Sequence, residues 1–182
     1  SVFGLDDGEQ TAYALATYTS PVDGKVYAFT SQSDGAQVAQ VELFDDGAGG
    51  VDAEVVRILD LPVPTGDPED SQSEGIVVDR ETGILYVALE EKTGIVKFSA
   101  EPAGGDAFEI IQPIGADYFE PDIEGLTLYY GPNGTGYLIA SSQGDATYAV
   151  FSREGTNEYL GSFSIEDLAG IDGAEETDGI DV

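Results

Sequence analysis

The stretches EGIVVDRETGILYVALEE (residues 74–91) and EGLTLYYGPNGTGYLIASSQ (residues 124–143) decide the fold of this chain, because the second repeats the first. The two align with three extra residues in the central turn of the second copy. DGIDV from Asp178 matches the start of another copy, and AYALATYTSPVDGKVYAFTSQ from Ala12 is a looser, earlier one. The sequence therefore predicts an internal repeat, with copies that begin near residues 13, 74, 124 and 178.

Each copy consists of short runs rich in β-branched and aromatic residues, separated by turn residues. The turns SPVDGK (20–25), DRETG (79–83) and GPNGTG (131–136) contain the Gly, Asn and Asp residues that hairpin connections need. Outside one or two helical turns near residues 165–168, no window has the apolar period of a helix. We therefore predict an all-β chain, with strands over residues 13–18, 26–30, 38–44, 55–59, 76–79, 84–89, 95–98, 126–130, 137–141, 148–152 and 159–165.

A repeat of about 50 to 60 residues that holds some four short strands is typical of propeller blades. A sandwich of two packed sheets also accommodates hairpins of this length, but it gives no reason for the repeated Glu-Gly openings. A propeller closes a ring of roughly four to eight blades, and this chain holds about three, with a fourth just started. We therefore predict one β-propeller domain over residues 1–182, incomplete at both ends.

The charge of the chain limits its partners. Its 182 residues include 36 acidic and only 6 basic ones, for a formal charge of −30, with no Cys and no His. Such a surface repels nucleic acid and anionic lipid, so neither is a predicted partner. Disulfides, thiolate nucleophiles and imidazole chemistry are excluded within this chain. Adaptation to high salt or general solubility is the alternative explanation of the acidity.

Acidic residues open successive copies of the repeat: Glu74, Glu124 and Asp178. The first strand of every propeller blade lines the central channel, so these carboxylates should converge at one end of it. Asp122 joins them, because side chains two residues apart on a strand share a face. Two unit charges about 4 Å apart cost on the order of 4 kcal/mol at an effective dielectric near 20. The cluster must therefore hold protons or cations, and Ca²⁺ is the predicted cation because it prefers oxygen ligands.

Several longer motifs point to a known family. The strings SQSEG, GILYVALEE, VKFSAEP, PDIEGLTLYYGPNGTGYLIASSQG and ETDGIDV closely resemble the β-propeller phytases, which are calcium-dependent phosphatases that act on myo-inositol hexakisphosphate (phytate). The resemblance runs from about Tyr13 to Val182 in consistent order. It implies a six-bladed propeller with several calcium ions at one end of the channel, where they bind substrate phosphates and activate a water for attack on phosphorus.

The resemblance also implies roles for individual residues. By position, the calcium ligands are Glu74, Glu90, Asp122, Glu124 and Asp178, with Asp172 as a further acidic position in more divergent surroundings. The implied catalytic group consists of Glu74, Asp122, Glu124 and Asp178. Tyr13 is similar to a tyrosine that contacts a substrate phosphate. Ser33 occupies the slot in which the family usually places a phosphate-binding lysine, so the chain departs from the family pattern at this position.

The expected function is that of a monomeric 3-phytase-type phosphomonoester hydrolase that acts on phytate or calcium-phytate. Family resemblance and acidity together suggest export, to the outside of the cell or to the periplasm. Lys97 and Arg153 are candidate phosphate contacts within this chain. The alternative is a propeller that calcium stabilises but that does not hydrolyse its ligand, as a binding module or a degenerate phytase-like domain.

Overall fold

The computed structural model describes residues 2–3, 12–91, 94–113 and 120–182. Within these ranges the chain forms twelve β-strands in three separate sheets of four strands. The helical segments there are single 3-10 turns of three or four residues, and none has the length and apolar character needed to cross a membrane. The all-β prediction is therefore confirmed.

Each sheet is an antiparallel meander, in which strands that follow one another along the chain also pair. Blade 1 contains β1 (Ala12–Thr19), β2 (Val26–Gln32), β3 (Gln37–Asp45) and β4 (Val51–Asp60). Blade 2 contains β5 (Ile76–Asp79), β6 (Ile84–Leu89), β7 (Gly94–Ser99) and β8 (Glu109–Gln112). Blade 3 contains β9 (Ile123–Tyr130), β10 (Gly136–Ser142), β11 (Thr147–Ser152) and β12 (Tyr159–Phe163). The sheets begin where the first three copies of the repeat begin.

Strand β6 shows how the three sheets are packed. Leu85, Val87 and Leu89 are buried in a core shared with blade 1, whereas Tyr86 and Ala88 are buried in a core shared with blade 3. Alternate residues of a strand point to opposite faces, so blade 2 is buried on both faces. A two-layer sandwich buries only one face of each sheet, and that alternative is wrong. The chain forms part of a β-propeller, with the first strands β1, β5 and β9 side by side.

In two copies, the glycine that follows the acid allows the first strands to approach closely. A Cβ on Gly75 would lie 2.5 Å from the carbonyl oxygen of Glu124, at the start of the next blade. A Cβ on Gly125 would lie 3.0 Å from the backbone nitrogen of Ile180. The first distance leaves no room for a larger residue, and the second leaves room only if the neighbouring backbone shifts. The repeated Glu-Gly opening is thus a packing requirement of neighbouring blades.

The end of the chain departs from the prediction at one point. Residues 165–168 form no helical turn, because Ile165 makes an isolated antiparallel bridge with Ala174 and Leu168 makes one with Ile171. The fourth copy begins as expected beside blade 3, where the Thr177 carbonyl accepts a hydrogen bond of 2.7 Å from the Ser141 hydroxyl.

Candidate functional site

A series of backbone hydrogen bonds joins blades 2 and 3 at the end where the predicted acids lie. The Glu90 N–H donates to the Gln72 carbonyl at 3.2 Å, and the Asp122 N–H donates to the Glu90 carbonyl at 2.9 Å. The Gln143 N–H in turn donates to the Asp122 carbonyl at 2.8 Å. Glu90, which follows β6, and Asp122, which precedes β9, are therefore fixed next to each other although they are far apart in sequence.

Asp122 has an unusual backbone conformation, with φ of +84°. A residue with a side chain in this region costs of order 1–3 kcal/mol and persists only where the surroundings hold it there. Its N–H and its carbonyl are both used in the series of bonds above, which supplies that restraint. Strain of this kind is concentrated at functional sites.

The side chains at this end come from three blades. The Tyr13 hydroxyl, on β1, donates a hydrogen bond to Glu74 Oε1, just before β5. The Glu124 and Glu90 carboxyls lie close enough to the Glu74 carboxyl to interact with it, and Asp122 lies close enough to repel both of these electrostatically. The structure thus brings together Tyr13, Glu74, Glu90, Asp122 and Glu124, which we call the acid cluster.

Glu124 is the most enclosed member of the acid cluster. Only 6% of its surface is exposed, and its Oε2 is buried with no hydrogen-bond partner among the described residues. A buried polar atom without a partner costs about 1–3 kcal/mol, and more when it is charged. Such an atom needs an explanation, and an ion that the structure does not contain is one of the ordinary explanations.

The electrostatics of the acid cluster favour bound protons when no cation is present. Burial, a hydrogen bond with Glu74 and the surrounding negative charges raise the pKa of Glu124 to about 9. Burial and repulsion from Glu74 and Asp122 raise the pKa of Glu90 to about 7, although a hydrogen bond from Gln72 opposes the shift. Burial also acts to raise the pKa of Glu74, but hydrogen bonds from Glu124 and Tyr13 outweigh it and leave that pKa lowered. The hydrogen bond to Glu74 raises the pKa of Tyr13.

The donors of the acid cluster fit calcium in their chemistry. All are oxygens, four are carboxylates, and one buried oxygen is unsatisfied. Ca²⁺ binds six to eight such oxygens and stabilises the charged form of a carboxylate. Across the described ranges, no three acidic side chains are already arranged around one metal position.

The other two predicted ligands lie outside the acid cluster. Asp178 is exposed, and its Oδ1 accepts a hydrogen bond of 2.6 Å from Gln143 Nε2, which attaches it to the end of the backbone series. Asp172 is exposed beside the Leu168–Ile171 bridge. No hydrogen bond between described residues joins Asp172 to the acid cluster.

The basic residues that the structure describes have other roles. Arg153 is 4% exposed and is held by Asp79 and Glu81, so its prediction as a phosphate contact is wrong. Lys97 donates to Asn157 at 3.3 Å and lies 3.5 Å from Glu109, at the outer side of blade 2. Lys92 lies outside the described residues.

Other contacts of the basic residues also lie away from the acid cluster. Lys25 pairs with Glu42, Arg57 bonds to Gln40, and Arg80 stacks on Tyr130. In the part of the chain that the structure describes, no Lys or Arg contacts the acid cluster. A phosphate bound there would need positive charge from another source.

Gln72 is a residue of the site that the sequence analysis did not predict. Gln72 Nε2 donates to Glu90 Oε1 at 2.9 Å, and Gln72 Oε1 accepts from the Asp34 N–H at 2.7 Å. Asp34 follows Ser33, the position at which the resemblance expects a lysine. The Gln72 side chain therefore links the turn at residues 33–34 to the acid cluster. Gln72 lies in the string SQSEG, but a lone glutamine in a loop predicts no particular contact.

Fold and site together define the class of protein: a β-propeller with carboxylates from two neighbouring blades gathered at one end. The chain belongs to the phytase family, whose family model matches residues 7–182. It is 44% identical over 170 residues to the 3-phytase of Bacillus subtilis (strain 168), a match that covers 93% of this chain and 42% of that protein. The chain therefore spans about two fifths of the length of this curated relative.

A solved structure supports the fold independently. The GH43_1 enzyme from Xanthomonas citri in complex with xylose superposes with a TM-score of 0.56. The match covers 93% of this chain and 60% of that one, at 16% sequence identity. An identity this low shows a shared fold and nothing about activity.

Proposed function

We propose that this chain forms part of a calcium-dependent phosphomonoester hydrolase that releases phosphate from phytate. Family membership and the curated 3-phytase relative support the reaction. The observation that carries the metal requirement is the acid cluster itself, with the buried and unpaired Oε2 of Glu124 at its centre.

Glu74, Glu90, Asp122 and Glu124 are the proposed ligands that hold calcium in the acid cluster. Asp178 is proposed to extend the site from the next blade, through its contact with Gln143. Asp172 is proposed as a ligand of a separate ion, because it lies apart from the others. Calcium bound at these positions would attract phosphate oxygens, neutralise charge on them and activate a water for attack on phosphorus.

The protein residues then have defined tasks. Glu74, just before blade 2, accepts a hydrogen bond from Tyr13 of blade 1 and interacts with Glu124 of blade 3, and so links the three blades at the site. The Tyr13 side chain is 49% exposed, so its hydroxyl can turn from Glu74 to a substrate phosphate without leaving a buried group unpaired. Glu74, Asp122, Glu124 and Asp178 are the proposed catalytic carboxylates, one of which accepts the proton of the attacking water.

Charge explains why a cation is needed. Phytate is a polyanion, and a chain with a formal charge of −30 repels it. Bound divalent ions are the largest local charges in such a site and reverse its sign. Because no described Lys or Arg contacts the acid cluster, calcium is proposed to supply the attraction for substrate there.

The proposal extends to the protein around the site. Residues 1–182 are taken as one incomplete propeller domain of a monomeric protein, exported from the cell, with no nucleic-acid or membrane partner. The net charge supports the last two points, because it disfavours both surfaces.

The test is phosphate release from phytate by the full-length protein, with calcium and with excess chelator. Release that depends on calcium is the expected result. Release that is unaffected by the chelator would refute the metal requirement. No release under either condition, together with calcium binding, would instead support a non-catalytic binding propeller.

A further inference from the structure

Gln72 lies between the turn that follows β2 and the acid cluster. Its side-chain amide uses both of its polar atoms: Nε2 donates to Glu90 Oε1 at 2.9 Å, and Oε1 accepts from the Asp34 N–H at 2.7 Å. One side chain thus contacts blade 1 on one side and a proposed calcium ligand on the other.

The backbone of Gln72 is held as firmly as its side chain. Its N–H donates to the Glu69 carbonyl at 3.1 Å at the end of the turn Pro68–Ser71, and its carbonyl accepts from the Glu90 N–H at 3.2 Å. The neighbouring Ser71 is buried and donates its hydroxyl to the Pro62 carbonyl at 2.6 Å. The Gln72 amide is therefore presented to Glu90 from a fixed position.

The chemical type of the donor is informative. A carboxylate oxygen can accept more than one partner, so an N–H bond orients the Glu90 carboxylate and still leaves it able to bind a cation. Lys or Arg at this position would orient Glu90 equally well but would cancel the charge that the cation needs. A neutral amide is the donor that fixes a ligand without neutralising it.

We propose that Gln72 is a positioning residue, which orients Glu90 for calcium binding and holds the turn at residues 33–34 against the acid cluster. This inference rests on the proposed function, since it concerns the same site. Gln72 does not contact substrate in this role and acts through Glu90.

The test uses Gln72→Met in the full-length protein, because methionine keeps the length of the side chain and removes both hydrogen bonds. Gln37→Met is the matched control, since the Gln37 amide donates to Asp60 Oδ1 at 2.8 Å within blade 1, an equivalent pair away from the acid cluster. Calcium affinity is measured by calorimetric titration, turnover at limiting and at saturating calcium, and the midpoint of thermal unfolding in parallel.

For Gln72→Met we expect calcium affinity to fall about 10-fold, as is typical when a group that supports a ligand is lost. Turnover should fall at limiting calcium and recover at saturating calcium, while the control matches the wild type in both. A lower unfolding midpoint with unchanged calcium affinity would overturn the proposal and leave Gln72 a purely structural link. In the Glu90→Gln background Gln72→Met should cause no further loss of affinity, and an additive loss would show that it does not act through Glu90.

The same measurements separate this inference from the function on which it rests. A wild-type protein that binds calcium but releases no phosphate would refute the proposed activity, and the affinity comparison would still decide the role of Gln72. A wild-type protein that binds no calcium would refute both.

Discussion

Arg153 of blade 3 and Asp79 of blade 2 form a buried, bidentate ion pair between the two blades. Arg153 Nε lies 2.7 Å from Asp79 Oδ2, and Nη2 lies 2.7 Å from Oδ1. Nη2 also donates to Glu81 at 2.6 Å, and the guanidinium lies 4.4 Å from the centre of the Tyr130 ring. The pair holds together the two blades that supply all four carboxylates of the acid cluster.

Arg153→Met should destabilise the protein by about 3–5 kcal/mol, because it leaves the buried Asp79 carboxylate without its partner. The free energy of unfolding in urea measures the effect. Lys25→Met is the control, since it breaks the exposed pair with Glu42, and exposed pairs contribute little. Equal losses in the two variants would contradict a special role for the buried pair.

The same pair predicts sensitivity to acid. Burial acts to raise the pKa of Asp79, but the hydrogen bonds from Arg153 and from the Glu81 N–H outweigh it, so that the pKa is lowered on folding. The stabilisation is therefore present above the pKa of the unfolded state and is lost as pH falls through the folded value. The free energy of unfolding, followed from about pH 6 to pH 2, should fall more steeply in the wild type than in Arg153→Met. Parallel curves would show that Asp79 does not carry this dependence.

Glu124→Gln tests the centre of the acid cluster. It keeps the shape of the side chain, replaces one carboxylate oxygen by an amide nitrogen and removes the charge, so calcium-dependent turnover should fall by about 100-fold or more. Calcium should also raise the thermal midpoint of the wild type, because an ion that binds only the folded state stabilises it. That shift should shrink in Glu124→Gln and remain in Glu158→Gln, which changes an exposed glutamate on blade 3. Wild-type turnover in Glu124→Gln would place the site elsewhere.

Ser33→Lys tests the departure from the family pattern. A lysine in the turn that Gln72 links to the acid cluster should lower the KM for phytate by about 10-fold, because it adds a positive charge that attracts the polyanion. The effect should weaken at high salt, since exposed charges are screened. Ser33→Met, which adds length without charge, is the control. An equal change in both variants would mean that charge in this slot does not contribute to binding.

Neighbouring residues in the sequence were sufficient to predict the architecture. Strand runs such as Ile84–Leu89 carry their own signal in β-branched and aromatic residues, and the acid and glycine at Glu74 and Gly75 recur at Glu124 and Gly125. The missed strand, β8, has only four residues, and the expected helical turn near residue 165 is replaced by bridges to residues that follow it. Local pattern fails at both places because pairing with another segment decides the conformation: β8 pairs with β7, and Ile165 and Leu168 pair with residues further along the chain.

The sequence by itself determined that this chain is a repeated β-structure of the phytase family, in which Glu74, Glu124 and Asp178 open three of the four copies. Only the tertiary structure decided which acids meet: Glu74, Glu90, Asp122 and Glu124 do, whereas Asp172 does not. It also decided that Arg153 forms a buried ion pair between blades 2 and 3 and that Gln72 donates a hydrogen bond to Glu90. The physical reason is that strand propensity and repeat spacing act between near neighbours, whereas burial and charge pairing depend on distances between blades that no local pattern records.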